Sequence, residues 1–226
     1  MGVIIDTIIL GFGHSYIIRD QGVIMIDGGD PKKAKAFVKG MESIALKPED
    51  IKLMIMTHGH FDHIGSAAEI KEISGAKIAM HQQEKDWLEK GLKPLSPGVN
   101  FWGSTLLFVM KAFMVPFMRI PPTQVDVILG DEDFSLAEYG IPGKVIYTPG
   151  HSSGSVSILL ETGDAFVGDL AMNALPMRFS PGLPVFAEDW KKVKESWNLL
   201  LKQGAKTIYP AHGKPFSADI IRKALS

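Results

Sequence analysis

Apolar residues in this chain gather in short runs broken by glycine, proline and small polar residues, and the period of each run decides what it can form. Near the start, YIIRD and VIMID flank the turn Gln21-Gly22 and read as a β-hairpin. The stretch before them, MGVIIDTIILGFG, reads as a first strand, because a secretory signal needs a basic leader and would not carry Asp6. Asp6 also stands where a myristoylation motif requires Ser or Thr. Asp30-Pro31 supplies an N-cap and a first-turn proline, so a helix is expected to open there and run through KKAKAFVKGMESI, whose apolar residues recur at helical spacing.

The apolar run IKLMIM predicts a buried strand that leads directly into THGHFDHIG, with a helix after it over about 66–73, which leaves the polar cluster in the strand-to-helix loop. AKIAM reads as a strand and QQEKDWLEK as a helix. KVIYTPGH, SVSILLE and DAFVGD read as strands that end at turns. A helix is expected between Asp189 and Gln203, and KTIYPAHG predicts a last strand running into a loop. Strands that arrive singly and in hairpins between helices predict sheets covered by helices, a layered α/β architecture. At 226 residues, one such domain over 1–226 can bury a large core.

One segment departs from this rhythm. Residues 91–122, GLKPLSPGVNFWGSTLLFVMKAFMVPFMRIPP, form a hydrophobic insertion whose middle, 101–118, is almost wholly apolar. With Lys111 and Pro116 inside it, this is a poor transmembrane span. The simplest expectation is a buried or interface helix, which would allow a homodimer through this segment. Two alternatives stay open: a lid or hydrophobic wall over an active site, with Phe113 and Phe117 touching substrate, or a segment lying on a membrane surface.

Composition narrows the chemistry. The balance of 24 Lys+Arg against 25 Asp+Glu gives a formal net charge of -1, so no global field draws the protein to nucleic acid, and no such partner is expected. The absence of cysteine removes disulfides, thiolate nucleophiles and thiolate metal ligands, leaving nitrogen and oxygen to hold any metal. A cytoplasmic location is expected.

THGHFDHIG places His58, His60, Asp62 and His63 within six positions, in a chain with seven histidines in all. Four such groups crowded into one loop would repel or lose solvation unless a cation sat between them. Further candidates follow apolar strands elsewhere: His151 in TPGHSSGS, Asp169 in FVGD and His212 in YPAHG. For a lone histidine, capping or facing solvent is the simpler reading. Several independent loops imitating ligand loops together is not, and the full set exceeds what one zinc ion takes, so two ions are expected.

The order H-x-H-x-D-H, His, Asp, His resembles the metallo-β-lactamase-fold superfamily, over roughly residues 16–215. That resemblance implies a four-layer αββα sandwich with the metals between the two sheets at one edge. It also implies that His58, His60 and His151 hold one ion, that Asp62, His63 and His212 hold the other, and that Asp169 bridges them. Asp27, in VIMIDGGD, matches the family's early aspartate that supports the ligands from behind, although an aspartate in a glycine-rich turn has a simpler reading. Two cations sharing a water would lower its pKa and polarise a carbonyl or phosphoryl oxygen, which is hydrolytic chemistry. Asp62 would bind metal, orient the nucleophile and pass a proton to the leaving group. Zinc is the first choice of metal; iron or manganese also suits a carboxylate bridge.

Departures from the pattern sort the branches. Di-zinc β-lactamases generally carry Cys or Ser where this chain has Asp169, so the resemblance is to the glyoxalase II and lactonase branch. Only fourteen residues follow His212, fewer than the glutathione-binding helical domain of a glyoxalase II needs. Flavodiiron proteins usually have Glu where His60 stands, and the added domains and histidines of the nuclease branches are not found. The expectation is a di-metal hydrolase of a small acyl substrate: a thioester, a lactone or another ester. The alternatives are a mononuclear iron sulfur dioxygenase using His58, His60, His151 or a related subset with Asp169, and a weak β-lactamase. A scaffolding module would not need all seven ligands. His14 is unassigned, and His81, after AKIAM, reads as a helix-start residue.

Overall fold

The structure, a computed structural model, describes residues 2–174 and 182–225. Strands β1 (Ile4–Ile9), β2 (His14–Arg19), β3 (Val23–Ile26), β4 (Ile51–Ile55), β5 (Lys77–His81) and β6 (Val127–Leu129) form one six-stranded sheet in sequential order. Its first pairs, β1 with β2 and β2 with β3, are antiparallel, the second of them as the hairpin signal predicts; the later pairs are parallel. A second six-stranded sheet, again sequential, contains β7 (Phe134–Ser135), β8 (Gly143–Tyr147), β9 (Val156–Leu160), β10 (Asp164–Gly168), β11 (Thr207–Pro210) and β12 (Phe216–Ser217). There only β10 and β11 run parallel.

Strand alternation sends each sheet's side chains into two different cores. In β3, Ile24 and Ile26 join a core shared by the two sheets, where they meet Val145, Ile158 and Phe166, while Met25 points the other way. Met25 packs with Phe37 and Met41 of helix α1 (Ala34–Ser43). The second sheet repeats this: Leu160 of β9 enters the shared core, and Leu159 joins Val193, Trp197 and Leu200 of a helix on the outer face. The layers are therefore helix, sheet, sheet, helix. This is the predicted αββα sandwich.

The remaining helices are α2 (Phe61–Ile64), α3 (Ala67–Ser74), α4 (Lys85–Glu89), α5 (Phe101–Phe113), α6 (Trp190–Lys202) and α7 (Asp219–Leu225). Helix α6 lies between Asp189 and Gln203 as expected, and Asp189 caps it by accepting the N–H groups of Lys191 and Lys192. Helix α1 corrects the sequence reading, since it starts at Ala34 rather than at Asp30-Pro31. Asp30 accepts the Phe12 N–H (3.2 Å), and Lys32 adopts a left-handed φ of 65°, so the chain turns before it coils. Ser66 Oγ takes the Lys33 N–H instead (2.8 Å). The polar cluster is also not all loop: Asp62 and His63 lie on the single turn of α2. His81 ends β5 rather than starting a helix.

Candidate metal centre

The loops after β4, β8, β10 and β11 meet at one edge of the sandwich. His58 and His60 follow β4, Asp62 and His63 sit on α2, His151 follows β8, and Asp169 and His212 come directly after β10 and β11. Gly168 makes the approach of β10 close: its φ is +52°, and a Cβ there would lie 2.5 Å from the Thr57 hydroxyl. All seven candidates are buried.

Two groups result, His58, His60, His151 and Asp169, and Asp62, His63, Asp169 and His212, with the ligand atoms of each within 4.8 Å of one another. In the first, His60 Nδ1 lies 3.0 Å from His58 Nε2 and 3.1 Å from His151 Nε2. Asp169 Oδ2 faces that group, at 3.7 Å from His151 Nε2 and 4.0 Å from His58 Nε2. Asp169 Oδ1 faces the second group, at 3.4 Å from His63 Nε2 and 3.3 Å from His212 Nε2. Asp62 Oδ2 completes it, 3.2 Å from His212 Nε2. One carboxylate thus presents an oxygen to each group.

Four of the five imidazoles donate from behind, which leaves the inward nitrogen free. His63 donates from Nδ1 to Asp27 Oδ2 (2.8 Å), His151 to the Phe186 carbonyl (2.9 Å) and His212 to the Phe12 carbonyl (3.2 Å). The Thr57 hydroxyl donates to Asp27 Oδ2 (2.8 Å), so His58 Nδ1 donates to that hydroxyl in turn (3.1 Å). His60 turns Nδ1 inward and rests Nε2 against the N–H (3.2 Å) and hydroxyl (3.3 Å) of Ser96. Asp27 has a left-handed φ of 61°, a conformation aspartate tolerates. It ties Thr57 and His63 together.

Electrostatics divide the histidines. Burial lowers His58 well below its ordinary value, helped by the neighbouring rings, and pushes His60 down to about 3; it lowers His151 too. Burial thus favours the neutral imidazole at all three, the form in which a ring nitrogen could take a metal. For His63 and His212 burial acts downward, but the carboxylates outweigh it: Asp27, Asp169 and Asp62 raise His63 well above the ordinary value, and Asp169 and Asp62 raise His212 to about 10. For Asp62 and Asp169 burial acts upward, yet the facing histidines hold both low. His63 Nε2, His212 Nε2 and Asp169 Oδ1 are buried with no hydrogen-bond partner. Three orphaned donor atoms aimed at one volume, in a set of imidazoles and carboxylates, fit divalent cations.

A narrow cleft opens onto this centre beside His60, Asp62 and Asp169, walled by Leu95, Leu107, Met110 and Phe186. A larger groove by Asp133, Lys144 and Lys206 holds none of the candidate ligands. Phe113 and Phe117, expected to touch substrate, are 70% and 81% exposed and lie outside the cleft wall. The inward face of α5 is instead Gly103, Leu106, Leu107 and Met110, a helical stripe at i, i+3, i+4 and i+7.

Sequence reasoning missed Glu84. Fully buried, it accepts the N–H groups of Gly59 and Gly154 (both 2.6 Å), so it clamps the loop of His58 and His60 to the loop of His151. It reads in sequence as one more charge in QQEKDWLEK. His14 and His81 join neither group; His81 stacks on Tyr147 with ring centroids 4.4 Å apart.

A four-layer αββα sandwich whose edge gathers two histidine–aspartate groups that share a carboxylate and could each hold a cation defines a class of protein. The chain belongs to the metallo-beta-lactamase superfamily, whose family model matches residues 8–212. It is 29% identical over 157 residues to "Probable metallo-hydrolase YqgX" of Bacillus subtilis strain 168, covering 68% of this chain and 63% of the relative. It is 26% identical to the hydroxyacylglutathione hydrolase of Pelagibacter ubique, covering 69% and 50%. The chain thus spans between half and two thirds of these relatives' length. The crystal structure of the superfamily protein ST1585 from Sulfolobus tokodaii shares the fold, with a TM-score of 0.70 at 22% identity over 98% of this chain and 84% of that one.

Proposed function

We propose that the protein is a di-metal hydrolase of a small acyl substrate: a thioester, a lactone or another ester. The observation that carries this reading is Asp169, whose two oxygens face different groups of buried donors. His58, His60, His151 and Asp169 Oδ2 would hold one ion; Asp62, His63, His212 and Asp169 Oδ1 would hold the other. Zinc suits this nitrogen-rich set best, with iron and manganese as the harder alternatives. Once bound, such a pair supplies Lewis acidity to a carbonyl and acidifies water.

The chain's own residues do the rest. Asp62 borders the cleft, where its carboxylate orients a water against the acyl carbon. As the water oxygen bonds to that carbon and the carbon–sulfur or carbon–oxygen bond breaks, Asp62 takes the water's proton and returns it to the leaving atom. Leu95, Leu107, Met110 and Phe186 exclude bulk water and receive the apolar part of the acyl group. The name of the Pelagibacter relative denotes hydrolysis of an acyl-glutathione, which supports the acyl reading.

A panel of thioester, lactone, β-lactam and phosphodiester substrates tests it. The expected outcome is chelator-sensitive turnover of an ester class, restored by zinc, and a fall of roughly 10²–10⁴ in kcat for Asp62→Asn, which can carry neither the charge nor the proton. Turnover by that variant at the wild-type rate removes Asp62 from the mechanism. One iron per chain with oxygen uptake would replace this reading by a sulfur dioxygenase.

A further inference from the structure

Helix α5 is apolar on both faces, but among the described residues only one face packs against a hydrophobic cluster. Its inward stripe, Leu106, Leu107 and Met110, packs on Met172, Val185 and Phe186 beside the metal cleft. Its outward stripe carries Phe101 (88% exposed) and Phe108 (71%), flanked by Trp102, Val109 and Phe113, and continues to Phe117 in the 3-10 turn Val115–Phe117. An exposed apolar surface of this extent marks an interaction site.

Charge identifies the occupant. No acidic residue occurs between Glu89 and Asp126, while Lys90, Lys93, Lys111 and Arg119 all do, in a chain whose overall charge is -1. Lys111 and Arg119 are exposed, and among the described residues neither has a carboxylate partner. Lys93 donates to the carbonyls of Val115 (3.0 Å) and Met118 (3.2 Å), fixing the end of the segment with a further positive charge. Aromatic rings rimmed by unpaired cations are what the boundary of an anionic bilayer takes up, with the rings among the acyl chains and the cations at the headgroups. A second copy is disfavoured, since a two-fold pairing sets this acid-free segment, with Lys111 and Arg119 exposed, against itself and brings like charges together. At 13 residues, α5 is about 20 Å long, so it would lie in the membrane surface rather than cross it.

We propose that the outer face of α5 and the following turn dock the protein on an anionic lipid surface. The proposal stands independently of the hydrolase reading, because it rests on the opposite face of the helix. It would set the mouth of the cleft, walled by Leu107 and Met110 of the same helix, beside the bilayer.

The test is flotation of the metal-loaded protein with vesicles of phosphatidylcholine alone and of phosphatidylcholine with phosphatidylglycerol. Binding is expected on the anionic vesicles, at least tenfold weaker on the neutral ones and weakened by salt. Phe101→Glu/Phe108→Glu and Lys111→Glu/Arg119→Glu should each reduce it at least tenfold, with metal content and melting temperature unchanged. Absence of binding to either vesicle overturns the proposal, as does equal binding of wild type and both variants. Sedimentation of the same samples provides the other contrary result: a dimer that the Phe101→Glu/Phe108→Glu variant dissolves assigns the face to a second copy.

Discussion

Asp169 and Asp30 show how one residue type takes opposite roles within the same edge of the fold. Asp169 meets four imidazoles and stays ionised despite burial, so its charge is available to bridge cations. Asp30, whose carboxyl group accepts the Phe12 N–H, is pushed by burial and by the nearby Asp62 charge up to about 6 from an ordinary 3.8. A raised acid pKa means that the fold favours the neutral carboxyl. Its contribution is therefore fully present below about pH 4 and lost as pH rises through about 6. Asp30→Asn should leave the stability of chelator-treated protein unchanged at pH 4 and raise it at pH 7.5 by on the order of 1 kcal/mol after allowance for partial exposure. Urea midpoints at the two pH values read this directly, and a variant less stable at pH 7.5 would show that the ionised carboxylate is the form the fold uses.

At the scale of elements, the site depends on clamps between loops as much as on ligands. Glu84 is the clearest. Glu84→Gln turns an amide nitrogen toward either Gly59 or Gly154, leaving one buried N–H unmatched, and should cost roughly 1–3 kcal/mol in denaturation. Affinity at the His58, His60 and His151 group should fall 10–100-fold with it. Retention of both wild-type stability and metal affinity would reduce Glu84 to a bystander. The cleft wall gives a second contrast: Leu107→Ala should lower kcat/KM for long acyl groups more than for short ones, by 1–3 kcal/mol per methylene left unburied, while Phe113→Ala leaves the chain-length profile as it was. Equal effects at both positions would contradict the phase assigned to α5.

These elements also show what the sequence could reveal. The seven candidate residues were legible because their loops follow apolar strands at tight turns, or lie within the short THGHFDHIG cluster, which are local patterns. Glu84 was not, because its burial arises only when the loops of Gly59 and Gly154 close over it. The inward face of α5 was hidden for a different reason. A segment apolar at nearly every position has no periodicity from which a phase can be read, so Phe113 and Phe117 looked as suitable as Leu107 and Met110. The early start predicted for α1 failed because Asp30 and Ser66 are committed to contacts distant in the chain.

For the whole molecule, the candidate metal centre joins the two halves of the sandwich. The first sheet's loops contribute His58, His60, Asp62 and His63, and the second sheet's contribute His151, Asp169 and His212, so neither sheet completes either group. Among the described residues no helix is long and apolar enough to cross a membrane. We propose that this edge holds two cations bridged by Asp169. Plasma mass spectrometry of the purified protein after dialysis against zinc tests it most directly, with Asp169→Ala measured in parallel. Two zinc ions per chain are expected in the wild type, with loss of at least the ion assigned to Asp62, His63 and His212 in the variant. One ion or none in the wild type, or two retained ions in Asp169→Ala, would contradict it.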